Sequence, residues 1–388
     1  MANNLFSPYQ FDKQTLDCVV GGVSALDVPR LSVHSHAEAQ QFIASYGYDI
    51  NIPEHSDQLR AIHRRAVAFI RDQLLEEGEF IPEQLVDTVQ IEDLTRLLIT
   101  ASSRKKEDRE LQRWSCAILR VMHVFVHLRH DLFSAFRGEI QTQILRPLQE
   151  AIHRDETSGV NGEGAATLGS KANNGGISLH KFEIKPFKTT TSSVVKLLAR
   201  PERVALQLLD KLGVRFVTHN IYDSFRVIQF LVESHLLSFP HIIPDQSNNT
   251  LYPVNLFLEV MDEIKDQEQA RGLKFGSDQV QEMLMKHLEK AHARAEYLEK
   301  ANQFSGEDYR FIKFINRKLV VVDIGQETEG ASGFYPGEAK RKFGFFYPYE
   351  IQIMDHRTYL ANLSGPMAHK EYKNRQIKKA RERVLGGD

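Results

Sequence analysis

The sequence predicts an α+β protein: an all-helical domain over residues 1–154, then a second domain over residues 179–388 in which helices and strands alternate. Three observations predict it. Apolar residues recur at helical spacing through the first part of the chain. Residues 155–178, DETSGVNGEGAATLGSKANNGGIS, are rich in Gly, Ser, Asn and Ala and read as a linker or mobile loop. Beyond them, short β-rich runs alternate with helical stretches. At 388 residues the chain is long enough for two full-sized cores.

In the first domain, Pro53 and Glu54 open a helix whose stripe runs through Leu59, Ile62, Ala66, Phe69, Ile70 and Leu74. A second helix covers residues 91–101. A third begins near Glu107, carries Leu111, Trp114, Ile118, Val121, Met122 and Val126, and continues in pattern past Phe136 to Leu145. In the second domain, residues 194–209 are helix-like and 213–218 form a short strand. Residues 223–236 return to helical period, and 260–302 form a charged helical stretch broken at 272–276. Strands are expected over 311–323 and 343–353, and a basic helix over 368–384.

Composition narrows the function. The chain is 42% hydrophobic and 26% charged, with a net charge of -2, so no global field draws it to nucleic acid or an anionic membrane. Two distant cysteines, Cys18 and Cys116, argue against a disulfide framework. The N-terminus lacks the pattern of a signal peptide and no apolar stretch reaches the length of a membrane span, so a cytoplasmic protein with no membrane partner is expected.

Three constellations carry chemistry. Lys188, Ser192 and Lys196 recur every four residues, which on a helix places two ammonium groups and a hydroxyl on one face, a set suited to a triphosphate. Asp210, Gly213 and Arg215 enter a strand. A carboxylate there suits Mg²⁺, which takes few protein ligands, while the glycine permits close backbone passage and the arginine can fork onto phosphate. Glu350 and Gln352 alternate with Tyr349, Ile351 and Ile353 along a half-buried strand. Glu350 either shares the metal with Asp210 or acts as base on an attacking hydroxyl. Each motif alone also has a structural reading, as solvated lysines, a helix-to-strand turn or an edge-strand face.

Taken together and in order, they resemble the synthetase domain of the RelA/SpoT family. That family carries Arg-x-Lys-x3-Ser-x3-Lys, then Asp-x-x-Gly/Ala-x-Arg, then Glu-x-Gln followed by Gly-x-x-Ala-His-x-x-Tyr-Lys. Here the last run is EIQIMDHRTYLANLSGPMAHKEYK, which includes Gly365, Ala368, His369, Tyr372 and Lys373. The resemblance spans about Lys181 to Lys373. It implies a mixed β-sheet flanked by helices and a pyrophosphokinase that moves pyrophosphate from ATP to the 3′-hydroxyl of a nucleotide ribose. It further implies that Asp210 and Glu350 are catalytic and hold Mg²⁺, and that Lys188, Ser192, Lys196, Arg215, Lys313, Gln352 and His369 contribute to nucleotide binding. Stretch 240–307 then reads as a helical insertion.

The chain departs from the family pattern at defined places. Pro186 stands where the first arginine is expected, with Lys185 the nearest cation and a candidate replacement. Met354 and Asp355 replace an Arg-Thr pair. The acceptor loop aligns through Asp308, Tyr309, Lys313 and Asn316 but lacks its Gly-Tyr and its His, so guanine specificity does not carry over. Two other functions stay open: a catalytically degenerate nucleotide-binding regulator, or pyrophosphate transfer to another acceptor such as tRNA. Long family members also carry a helical hydrolase domain. His123, His127 and His130 share a helical face here, but their apolar neighbours favour packed histidines over a metal site, so a regulatory or structural helical domain is expected. The basic residues of 373–383 read as a solvated helix face.

Overall fold

A computed structural model describes residues 18, 20, 23–86, 94–129, 132–154, 166–169, 176–200, 208–272, 274–291, 297–298, 310–324, 341–363 and 369–386. In chain order the helices are α1 (His36–Ala44), α2 (Pro53–Phe69), α3 (Glu83–Val86), α4 (Thr95–Ala101), α5 (Arg109–Arg129), α6 (Arg137–Glu150), α7 (Thr190–Ala199), α8 (Ile221–Glu233), α9 (Val254–Arg271), α10 (Ser277–Ala291), α11 (His356–Leu363) and α12 (His369–Leu385). The strands are β1 (Ile152–Arg154), β2 (Ala166–Leu168), β3 (Ile177–Lys185), β4 (Gly213–Thr218), β5 (Asn248–Asn249), β6 (Ile312–Ile324) and β7 (Arg341–Asp355). The protein is α+β, and among the described residues no helix is long and apolar enough to cross a membrane.

The chain forms two compact units. The first comprises Met1–Leu132, Thr189–Leu208 and Lys373–Asp388. It is helical because its apolar residues recur at helical period. Trp114, Ile118, Val121, Met122 and Phe125 of α5 are buried, and α5 packs on α2 and α4. Phe69 meets Phe125 edge-on at 6.1 Å. Ser35 caps α1 by accepting the Glu38 N–H, while the Glu38 carboxylate accepts the His34 N–H at 2.7 Å. The basic tail is a solvated face only in part: Lys373, Lys378 and Lys379 are exposed, but its last two arginines are engaged. Arg381 pairs with Glu79 at 2.6 Å, and Arg383 pairs with Asp27 and donates to the carbonyls of Leu197 and Leu198.

The second unit comprises Phe133–Lys188 and Leu209–Tyr372. These boundaries differ from the expected ones at both ends. The apolar pattern that seemed to continue α5 past Phe136 belongs to a separate helix. The reason is packing: Ile140, Ile144, Leu145 and Leu148 of α6 join the core under the sheet. Residues 155–178 are not wholly a linker either, since β2 and the start of β3 lie within them. Ala166, Leu168, Ile177 and Leu179 are all buried in that core. C-terminally, residues from Lys373 onward belong to the helical unit.

The seven strands form one mixed sheet in the order β1-β2-β3-β4-β7-β6-β5. The β4–β7 pair is parallel and every other pair is antiparallel. Along the central strands the side chains alternate. Ile184, Phe182, Val214, Phe216, Ile351 and Ile353 belong to the main apolar core together with α6, α8, α9 and α10. Asn220 caps α8 by accepting the Asp223 N–H at 2.8 Å. The charged stretch is two helices, α9 and α10. It breaks where expected, at Gly272, whose φ of +63° and N–H bond to the Glu268 carbonyl end α9 in a left-handed cap.

Candidate functional site

The other face of the same strands is polar, and the alternation that fills the core produces it. Register aligns Glu183 of β3, Arg215 of β4, Gln352 of β7 and Lys313 of β6 in one row across the sheet. The next row is Lys185, Gly213 and Glu350. Residues two apart on a strand share a face, so both rows project to the side opposite the apolar core.

Hydrogen bonds knit these rows together. Lys185 Nζ lies 2.7 Å from Glu350 Oε1 and 2.6 Å from Gln352 Oε1. Arg215 Nε donates to Gln352 Oε1 at 3.0 Å, and its NH1 reaches Glu183 Oε2 at 3.0 Å. Glu183 also accepts from Tyr359 of α11 at 3.0 Å and pairs with Lys181 at 3.1 Å. Lys188, in the turn after β3, meets Asp210 Oδ2 at 2.5 Å. Backbone bonds hold that turn beside the strand ends: Lys188 N donates to Lys211 O at 3.0 Å, and Glu350 N to Leu212 O at 2.9 Å.

Asp210 and Glu350 thus come together at the N-terminal end of β4, where Gly213 pairs with Glu350 within β7. Gly213 permits this closeness, because a Cβ there would lie 2.8 Å from the Glu350 carbonyl oxygen and 3.0 Å from its Cβ. Burial pushes the Glu350 carboxyl up and the Asp210 charge adds to that push. The Lys185 charge and hydrogen bond, with Lys313, outweigh both and hold the group below the usual carboxylate range. Burial likewise pulls Lys185 below the usual lysine range, against the Glu350 charge.

The remaining expected residues fall as follows. Lys188 does not share a helical face with Ser192 and Lys196, because Thr189 caps α7 by accepting the Ser192 N–H and the helix begins after Lys188. Ser192 and Lys196 lie on α7 in the helical unit, Ser192 half-buried in the first turn and Lys196 buried. Lys313 is on the polar face. Asn316, its neighbour in the acceptor-loop alignment, is buried and donates from Nδ2 to the Tyr349 hydroxyl at 2.9 Å. His369 opens α12, but its side chain lies outside the described residues, as do Asp308, Tyr309, His130, Gly365 and Ala368.

The sequence reading missed Glu183, Lys181 and Tyr359. The first two had a signal in the alternation of Lys181, Glu183 and Lys185 with Phe182 and Ile184. Tyr359 had none, since only the packing of α11 on β7 and β4 brings it over the face. In the helical unit, the His123 and His127 rings are tilted at 58° with centroids 4.4 Å apart, and His123 Nδ1 lies 2.8 Å from the Tyr46 hydroxyl. Among the described residues no group of three or more His, Cys, Asp or Glu is arranged to hold a metal. Two carboxylates beside lysines are still a fitting donor set for Mg²⁺, a hard cation that keeps much of its water and binds phosphate oxygens.

No protein-family model matches this chain, and a comparison with curated proteins returns no match.

Proposed function

We propose that the polar face of the sheet unit is the site of an ATP-dependent pyrophosphokinase, which transfers pyrophosphate from ATP to a ribose 3′-hydroxyl of a nucleotide. The observation that carries this reading is the meeting of Asp210 and Glu350 beside Lys185 and Lys188. The ordered motifs shared with RelA/SpoT synthetases support it. Asp210 and Glu350 would hold Mg²⁺, which when bound supplies charge neutralisation and orientation at the phosphates. Each carboxylate is paired with a lysine, and with polyphosphate bound the Lys185 and Lys188 ammonium groups would turn from carboxylate to phosphate oxygens, leaving the carboxylates to hold the cation. Lys185, Lys188 and Lys313 then neutralise the polyphosphate. Arg215, pinned between Glu183 and Gln352, is held ready to fork onto it. The acceptor oxygen forms a bond to the β-phosphorus as the bond to the α-phosphate oxygen breaks, and AMP leaves with that electron pair. Glu350, ionised at neutral pH, takes the hydroxyl proton.

A second reading is a nucleotide-binding regulator without turnover. The observation favouring it is that both carboxylates are already satisfied by direct lysine pairs. Incubating the full chain with γ-labelled ATP, Mg²⁺ and a panel of nucleotides and tRNA separates the two. The first reading expects label on an acceptor, lost in Asp210→Ala and Glu350→Gln. Saturable calorimetric binding of ATP with no labelled acceptor assigns the second. Transfer to tRNA alone keeps the chemistry and changes the acceptor.

A further inference from the structure

The helical unit holds a largely apolar pocket of about 130 Å³ that is partly open to solvent. Its walls come from Ile43 of α1, Leu98 of α4, and Leu119, Met122 and Val126 of α5, and Leu26 also lines it. Protein interiors pack with few voids larger than a water molecule. A ligand seated against apolar walls gains dispersion contacts, and an apolar cavity of about 150 Å³ in another protein takes up benzene.

The polar groups at this cavity define what it accepts. The Tyr46 hydroxyl and His123 Nδ1 satisfy each other at 2.8 Å. Burial raises the Tyr46 hydroxyl, while burial with the His127 and Arg383 charges takes His123 down to about 4, so both are neutral at pH 7. The Arg120 guanidinium donates to the carbonyls of Val28 and Val384, each at 2.8 Å. The Cys116 thiol faces the Ala101 carbonyl at 3.5 Å. The pocket therefore offers apolar walls and one neutral hydrogen-bonded pair; of its two cations, Arg120 is engaged by backbone carbonyls and Arg30 is exposed to solvent. Segment 25–31 lines one side and is fastened from its ends: Asp27 pairs with Arg383, Gln112 Nε2 donates to the Pro29 carbonyl at 3.1 Å, and Leu31 N donates to the Ala101 carbonyl at 3.3 Å.

We propose that this cavity is a binding site for a neutral, largely apolar small molecule the size of one or two fused aromatic rings, with the Tyr46–His123 pair reading a single hydroxyl or N–H. It is independent of the phosphoryl chemistry above. The test titrates benzene and indole into the full chain, following the unfolding midpoint and the methyl resonance of Met122, assigned with Met122→Leu. At ligand tenfold above its Kd the midpoint should rise by about 2 °C, and the Met122 resonance should move saturably. Leu98→Phe, which fills the cavity, should lose at least tenfold in affinity. Ile43→Phe from the opposite wall is the second filling variant should the first not fold. Tyr46→Phe should weaken indole while leaving benzene unchanged. A wild-type chain whose midpoint and Met122 methyl ignore saturating benzene and indole would overturn the proposal, as would filling variants that respond like wild type.

Discussion

The two faces of strands β3, β4 and β7 are made from the same backbone and differ only in parity. Ile184, Phe182, Val214, Phe216, Ile351 and Ile353 go to the core; Lys185, Glu183, Arg215, Glu350 and Gln352 go to the other side. The first set is interchangeable in chemistry and fixed in volume, as a packed core requires. The second is buried at Glu350 and Gln352 and fixed in charge and spacing, with each carboxylate and each cation answered by a partner. Apolar packing gives no reason for a charged network this dense on one face of a sheet, which is why we propose the polar face as a site.

Substitutions on the two faces should therefore fail differently. The largest effect is expected on turnover: Asp210→Ala or Glu350→Gln should lower pyrophosphate transfer on the order of 10³-fold or more, read by labelled product, while the far-ultraviolet circular dichroism stays native. Phe216→Ala, one strand position from Arg215 but on the other face, should do the converse. It removes a fully buried ring and should cost about 3–5 kcal/mol in urea unfolding. Gly213→Ala sits between these outcomes. Its methyl would press on the Glu350 backbone, so a loss of about 1–3 kcal/mol together with reduced transfer is expected.

The smallest effect is the most specific. In the wild type, Glu350 is held below its ordinary value of 4.5, so the pair stabilises the fold above that pH and the gain is lost as pH falls through the lowered value. In Lys185→Met, burial and Asp210 act with less opposition and the carboxyl rises above 4.5. Stability should then increase as pH falls from neutrality toward about 4.5, a slope of opposite sign measurable by urea unfolding across that range. Equal slopes in the two proteins would mean that Lys185 does not set the state of Glu350.

Much of this was legible in the sequence wherever pattern and partner lie on one element. The strand at 213–218, the strand carrying Glu350 and Gln352, and the break at Gly272 follow from local periodicity and a glycine that can adopt positive φ. What was not legible depends on distant packing. Helical period runs on from α5 into α6, and nothing local says that Ile140 and Ile144 face a sheet. The composition of residues 155–178 hides β2, whose three residues become a strand through pairing with β1 and β3. In the proposed site, Asp210, Glu350 and Lys188 were singled out by the order of three weak motifs that together resemble the RelA/SpoT synthetases, and the fold brings them close to one another. The grouping of Lys188 with Ser192 and Lys196 on one face failed because Thr189 starts the helix one residue later.

The claim that the polar face is a metal–polyphosphate site is tested most directly by Mn²⁺ electron paramagnetic resonance, with Mn²⁺ standing in for Mg²⁺, in the presence of a non-hydrolysable ATP analogue. The account predicts about one protein-bound Mn²⁺ per chain that depends on the analogue, lost in both Asp210→Ala and Glu350→Gln. Bound Mn²⁺ retained at wild-type affinity in both variants would contradict it.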